Sequence, residues 1–198
     1  SAQIGFNSSM NGAYTFNKRT ELFWTAGMNH RKTTFSNNHV FPKNANRVNL
    51  QLFPNGFKSK PIIHSTDVWG IAGIKGKTKT NWNWEYSSTY GNNRGRYSIR
   101  ETNNASQEFT LGKDAPTSFY TGSLGYGQLT NNLQFTKNLF AENKKMQSLT
   151  FGYEWRFEHF RITEGVEGAL KNYHPSGNKQ GGSGGLIFSP QDAVKKSA

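Results

Sequence analysis

Cysteine is absent from the chain, which excludes a disulfide framework and any thiolate metal site. No apolar run approaches the roughly 18 residues of a membrane helix. Acidic residues are scarce: 12 Asp and Glu stand against 24 Lys and Arg, for a formal charge of +12. Apolar residues are also sparse for a packed soluble core in a chain of 198 residues, at 33% with a mean hydropathy of −0.78. The length allows one sizeable domain and does not require two. The chain has neither a signal peptide nor an initiator Met and opens on SAQIGF, already in alternating register. It is therefore expected to be a piece of something longer.

Signatures of catalysis are missing as well. No GxSxG, P-loop or dinucleotide fingerprint occurs, and GYGQ at Gly125 has no following helix to present its amides. The five histidines (His30, His39, His64, His159, His174) show no metal-ligand spacing. A Ser-His-Asp set cannot be read from residue order alone. The expectation is a protein that is not an enzyme and has no cofactor and no metal.

Aromatics, by contrast, are plentiful at 14%, and they are patterned. In QSLTFGYEWRFEHF (Gln147 to Phe160), Leu149, Phe151, Tyr153, Trp155 and Phe157 alternate with Ser148, Thr150, Gly152, Glu154, Arg156 and Glu158. Successive strand side chains point to opposite faces, so this stretch is a strand with one apolar and one polar face. A helix would bury charge against grease.

Similar runs fill much of the chain. Ile4, Phe6, Met10, Tyr14 and Phe16 share one parity, NKRT turns the chain, and Leu22, Trp24, Ala26 and Met28 return, making a hairpin. A second hairpin goes out through Asp67 to Ile74, turns at GKTKT and returns with Trp82, Trp84, Tyr86 and Tyr90 opposite Asn81, Asn83, Glu85, Ser87 and Thr89. Its outgoing strand is apolar on both parities and has no readable orientation. A third begins near Ser123, turns within Asn138 to Met146 and returns through the aromatic strand. Between the hairpins lie long segments, about 32–63, 96–122 and 163–198, rich in Pro, Asn or Gly and expected to be loops. Most cations are expected at turns and loop tips.

Connections thus alternate short and long, as in membrane barrels with brief periplasmic turns and extended outer loops. The predicted fold is all-β: an antiparallel transmembrane β-barrel segment of about six strands in three hairpins. Bacterial barrels start at about eight strands, so this is an arc of a larger barrel. Two other readings stand beside it. One is a soluble β-rich module binding glycans or nucleic acid through basic aromatic loops. The other is a structural barrel component completed by another chain.

PTSFYTGSLGYGQLTNNLQF (Pro116 to Phe135), LTFGYEWRFEHFRITEG (Leu149 to Gly165) and GGSGGLIFSPQDAV (Gly181 to Val194) resemble the mid-barrel region of TonB-dependent outer-membrane receptors. The NKRTELFWTAGMNHR and IAGIKGKTKTNWNWEYSSTYGNN hairpins fall in the order that family shows. The resemblance covers nearly the whole chain. It implies a barrel of about 22 strands around an N-terminal plug. It also implies location in the outer membrane of a Gram-negative bacterium and import of a scarce nutrient (an iron chelate, cobalamin or a glycan). Energy would come from the inner membrane through the TonB complex. The plug, the TonB-contacting segment and the closing C-terminal strands have no counterpart among these residues. The expected partners are outer-membrane lipid, the rest of the barrel and its plug, the TonB complex and an unidentified transported ligand, with no nucleic acid.

On this reading Asn81, Asn83, Glu85, Glu154, Arg156 and Glu158 face the lumen, in an opposite-charge lattice across neighbouring strands. Trp82, Trp84, Tyr86, Tyr153, Trp155 and Phe157 face lipid. Ligand contacts are expected on the long loops, at Phe41, Arg47, Phe53, Phe57, Phe109, Tyr120, Tyr173 and His174.

Overall fold

The computed structural model describes residues 1–140 and 146–198. Seven strands lie side by side in chain order in one open antiparallel sheet. They are β1 (Ala2–Asn17), β2 (Thr20–Thr34), β3 (Lys60–Lys77), β4 (Trp82–Arg100), β5 (Ser118–Phe140), β6 (Met146–Thr163) and the short β7 (Val194–Ser197). The all-β, antiparallel expectation is met, with one strand more than the six expected. The addition is β7, which pairs with the loop end of β6 inside the segment expected to be loop throughout.

Local chemistry explains the hairpins. The Arg19 amide donates to Asn17 Oδ1 at 2.8 Å and closes the β1–β2 turn. At the β3–β4 turn Thr78 accepts from the Trp82 amide at 3.0 Å, and Asn81 takes the left-handed conformation (φ 64°), which Asn tolerates well. In the third hairpin residues 138–140 continue β5, and residues 141–145 of the expected turn lie outside the described residues.

The long connections all fall at the other end of the sheet and cover residues 35–59, 101–117 and 164–193. They are shorter than the sequence pattern implied because the strands run further. Pro61, expected in a loop, is the second residue of β3 opposite Ile99, where a missing amide near a strand start is tolerated. Tyr120 likewise belongs to β5 and not to a loop.

Register assigns the faces. Tyr14, Leu22, Ile74, Tyr86, Leu133 and Tyr153 form one row across six strands. The β3 strand that could not be oriented is settled by both neighbours: Val68 opposes Met28 and Ile74 opposes Tyr86, so the even residues of β3 join the apolar face. Trp69 and Ile71 therefore lie on the polar face. Trp69 is accommodated there because Gly27 opposes it; a Cβ on Gly27 would come within 2.7 Å of the indole.

Neither face of the sheet is covered by a second layer along most of its length, and large apolar side chains stand open on one of them: Ile4 at 73%, Met10 at 65% and Tyr153 at 66% exposure. The buried apolar cluster is small and sits at the loop end, where Ile99, Phe119 and Ala169 pack with Ile187. No described helix is long and apolar enough to cross a membrane, which leaves crossing by strands untouched.

Candidate functional site

Three surfaces offer function: the apolar face, the polar face and the cap of loops.

The apolar face continues across β1 to β6. On β4 and β6 it carries Trp82, Trp84, Tyr86, Tyr153, Trp155 and Phe157, the six expected to share a face. Their rings interlock between strands. Trp82 meets Phe151 edge-on at 5.6 Å, Tyr86 stacks on Trp155 at 6.1 Å, and Phe135 stacks on Phe151 at 5.3 Å. Asn131, a polar intruder in this face, is buried and accepts from the Tyr86 hydroxyl at 3.2 Å.

The loop-side border of this face is staggered. Ile4 is its last large apolar residue on β1, Tyr90 on β4 and Phe157 on β6. The row of Ile4 runs through Lys32, His64, Arg96 and Ser123 to Thr163, so the border has fallen six residues (96 − 90) by β4 and then runs level, with Tyr90, Leu129 and Phe157 in one row.

The polar face holds Asn83, Glu85, Glu154, Arg156 and Glu158. Asn81 is not among them: it sits in the β3–β4 turn, where its left-handed backbone takes it off the strand. The expected lattice between strands is instead mostly a ladder within β6. Arg156 reaches Glu154 at 2.9 Å and Glu158 at 3.7 Å, while its neighbours across β5 are the neutral Asn132, Thr130 and Gln128. Lys75 and Glu21 make the cross-strand pair at 3.1 Å, with Glu85 next to Lys75 in the row. All these charges are half-exposed, where such pairs contribute about 0–1 kcal/mol. They keep a wet wall satisfied.

The loops form the cap, held by side-chain amides. Asn49 is fully buried and donates to the Gly112 carbonyl at 2.7 Å, while its own amide donates to Asn103 Oδ1 at 3.1 Å. Asn104, also fully buried, donates to the carbonyls of Gly168 and Lys171 at 2.9 and 2.8 Å. Lys179 pairs with Glu108 at 2.6 Å in a partly shielded contact. These groups satisfy backbone carbonyls that irregular, buried chain would otherwise leave unpaired. The cap leans over the polar face, since Ile99 and Phe119, both of that parity, carry Ala169 and Ile187 above them.

Between the loops lies a polar cleft of ≈ 390 Å³ bounded by His39, Arg47, Phe57, Asn103, Gln180 and Ser183. Its walls present amides, hydroxyls and two basic side chains without a carboxylate. Among the described residues the buried hydroxyl of Ser183 has no hydrogen-bond partner. Of the expected loop contacts, Arg47 and Phe57 line this cleft. Phe53 packs on Phe57 at 5.1 Å behind it. Phe41 stands open against His39 at 4.8 Å. Phe109 and His174 meet at 5.9 Å from separate loops, and the Lys171 ammonium lies 5.5 Å from the Tyr173 ring. Tyr120 is elsewhere. A β-bulge at Gly122 (φ 119°) shifts the register, and Tyr120 joins Arg96, 5.8 Å from its ring, and Thr163, 3.1 Å from its hydroxyl.

Sequence reading missed Asn49, Asn103, Asn104 and Ser183. The density of Asn between strands was the available signal, but their partners lie 54 to 81 residues away. It also placed most cations in turns and loops. Lys32, Lys60, Lys77, Lys195 and Lys196, expected there, are on strands. Among the described residues, no three His, Asp or Glu gather closely enough to hold a metal. Comparison with family models, with curated proteins and with solved structures finds no match for this chain.

Proposed function

We propose that this sheet is an arc of a transmembrane β-barrel in a bacterial outer membrane, and that the barrel is a TonB-dependent receptor that imports a scarce nutrient. The observation that carries the reading is the uncovered apolar face. It is six strands wide and interlocked by aromatics. In water, each such side chain left open forgoes about 1.5–3 kcal/mol of burial. Lipid covers the face without any second layer. The opposite face, with its amides and the Glu154–Arg156–Glu158 ladder, suits a hydrated lumen containing a plug. Open sheet edges cannot remain unpaired in hydrocarbon, so further strands complete the barrel. The loop cleft at Arg47, Phe57 and Ser183 is the place for first contact with a polar ligand. Import and TonB coupling rest on the resemblance of the hairpin motifs.

These residues contain no cysteine, which allows single probes to be placed one at a time. Spin labels at Tyr153 and at Glu154, in the natural polypeptide in outer membranes, should differ in collisions. The first should meet oxygen in lipid and the second a water-soluble nickel complex. Equal contact of both with nickel would sink the barrel reading. Cells carrying the polypeptide should accumulate a ferric chelate, cobalamin or a glycan only while the proton-motive force is intact; uptake independent of it would overturn the TonB assignment.

A further inference from the structure

The apolar face changes character abruptly on its loop side. Directly above Tyr90, Leu129 and Phe157, the same parity carries Asn92, Arg94 and Arg96 on β4 and His159 and Arg161 on β6. Lys195 of β7 stands opposite Arg161, and Lys32 and His64 share the row of Arg96. No Asp or Glu occupies this parity above the border on any strand.

Between the two cationic walls β5 offers almost no side chain, since its residues of this parity are Ser123, Gly125 and Gly127. The result is a groove of ≈ 460 Å³, with Arg94 on one side and Arg161 and Lys195 on the other. The floor at Gly125 is open; a Cβ there would meet nothing nearer than 3.7 Å. Asn92 and His159 lean together over Gly127 (3.4 Å) and close the lower end. Among the described residues Arg94, Arg161 and Lys195 make no salt bridge, although Arg156, on the other face of the same strand, makes two. Below, and sharing His159 and Ser197, lies a second groove of ≈ 350 Å³ walled by Tyr90, Leu129 and Phe157 and bounded by Glu158 and Ala198, which pair through their backbones.

A cationic groove joined to an aromatic one along the same three strands, β4 to β6, matches an amphiphile. We propose that this is a binding site for an acyl lipid of the surrounding leaflet that carries a phosphate. The phosphate would lie between Arg94 and Arg161, over Gly125, and an acyl chain against Leu129 and Phe157. Guanidinium groups pair with phosphate through parallel hydrogen bonds, and the glycine floor leaves room for the headgroup. The juxtaposed apolar groove selects lipid over a free anion. The inference rests on the membrane reading of this face.

The test uses the natural polypeptide in detergent and native mass spectrometry. The probes are dioleoyl phosphatidic acid, dioleoylglycerol with the same chains, and inorganic phosphate. Phosphatidic acid should remain bound where the other two do not. Arg94→Ala with Arg161→Ala should weaken its retention by about tenfold or more. Gly125→Leu, which fills the floor and removes no charge, should weaken it similarly. Lys at both arginine positions should restore part of it. Unfolding midpoints matching the parent's keep lost binding distinct from lost fold. Equal retention by the variants, or equal binding of dioleoylglycerol, would overturn the site, and competition by inorganic phosphate at the same concentration would reduce it to an ion site without lipid. If the Tyr153 label in the same preparation meets nickel as Glu154 does, the membrane reading itself has failed. If that label meets oxygen and the variants bind as the parent does, only the lipid site has.

Discussion

Leu133 and Asn132 are adjacent in β5 and belong to opposite faces, which makes them a matched pair for one perturbation. Leu133 lies in the row of Tyr86 and Tyr153, near the middle of the stretch from Leu129 to Leu139, whose side chains on this face are apolar except Asn131 and Lys137. Asn132 lies in the row of Ser87 and Glu154. An arginine on the lipid side of a barrel strand near the midplane costs about 2–4 kcal/mol. Leu133→Arg should therefore shift the folding equilibrium by about 30- to 1000-fold. Asn132→Arg places the same guanidinium in a hydrated wall beside the Glu154 carboxylate, where surface changes stay within about 0.5 kcal/mol. The assay is urea unfolding of the natural polypeptide in lipid vesicles, followed by tryptophan emission, with the midpoint converted through a common slope. The expected gap between the two variants is about 2 kcal/mol or more, Leu133→Arg being the weaker. Equal midpoints would refute the assignment of that face to lipid. A larger loss from Asn132→Arg would mean that the faces have been exchanged.

Two further outcomes follow from the loop cap. Asn104→Leu leaves the Gly168 carbonyl without a donor and the Lys171 carbonyl with only the Ser106 hydroxyl at 3.5 Å, a loss of about 1–3 kcal/mol confined to the cap. Limited proteolysis should then cut within 101–117 and 164–193 while the strands resist; unchanged cutting would show that the amide does not hold the loops. Asp192 accepts from the hydroxyl and the backbone amide of Ser189, which hold its carboxyl below the ordinary carboxylate range. Its folded value being the depressed one, it stabilises the turn above the unfolded value and loses that contribution as pH falls through the folded value. Exchange of the Ser189 amide should quicken over that acid window, and Asp192→Asn should abolish the dependence. A pH dependence that survives the substitution would assign it to another group.

Strand alternation was legible from residue order because side-chain direction along a strand has a period of two and needs no partner to be read. This located the hairpins in β1–β2, β3–β4 and β5–β6, together with the shared face of Trp82, Trp84, Tyr86, Tyr153, Trp155 and Phe157. The first turn was legible for a similar reason, since Asn17 acts on backbone two residues away, whereas Asn81, expected on the strand, proved to belong to the second turn. What residue order left open depended on neighbours far along the chain. The apolar residues of β3 fall on both parities, and only pairing with Met28 and Tyr86 sends Val68 and Ile74 to one face and Trp69 to the other, over Gly27. The bulge at Gly122 moved Tyr120 out of the loops and onto the face of Arg96. Asn49 and Asn104 read as loop polarity until their partners, more than 50 residues away, made them the centre of the cap. The cationic groove is of the same kind. Arg94, Gly125 and Arg161 have no common pattern in the chain, and they meet because β-pairing sets three distant strands in one row.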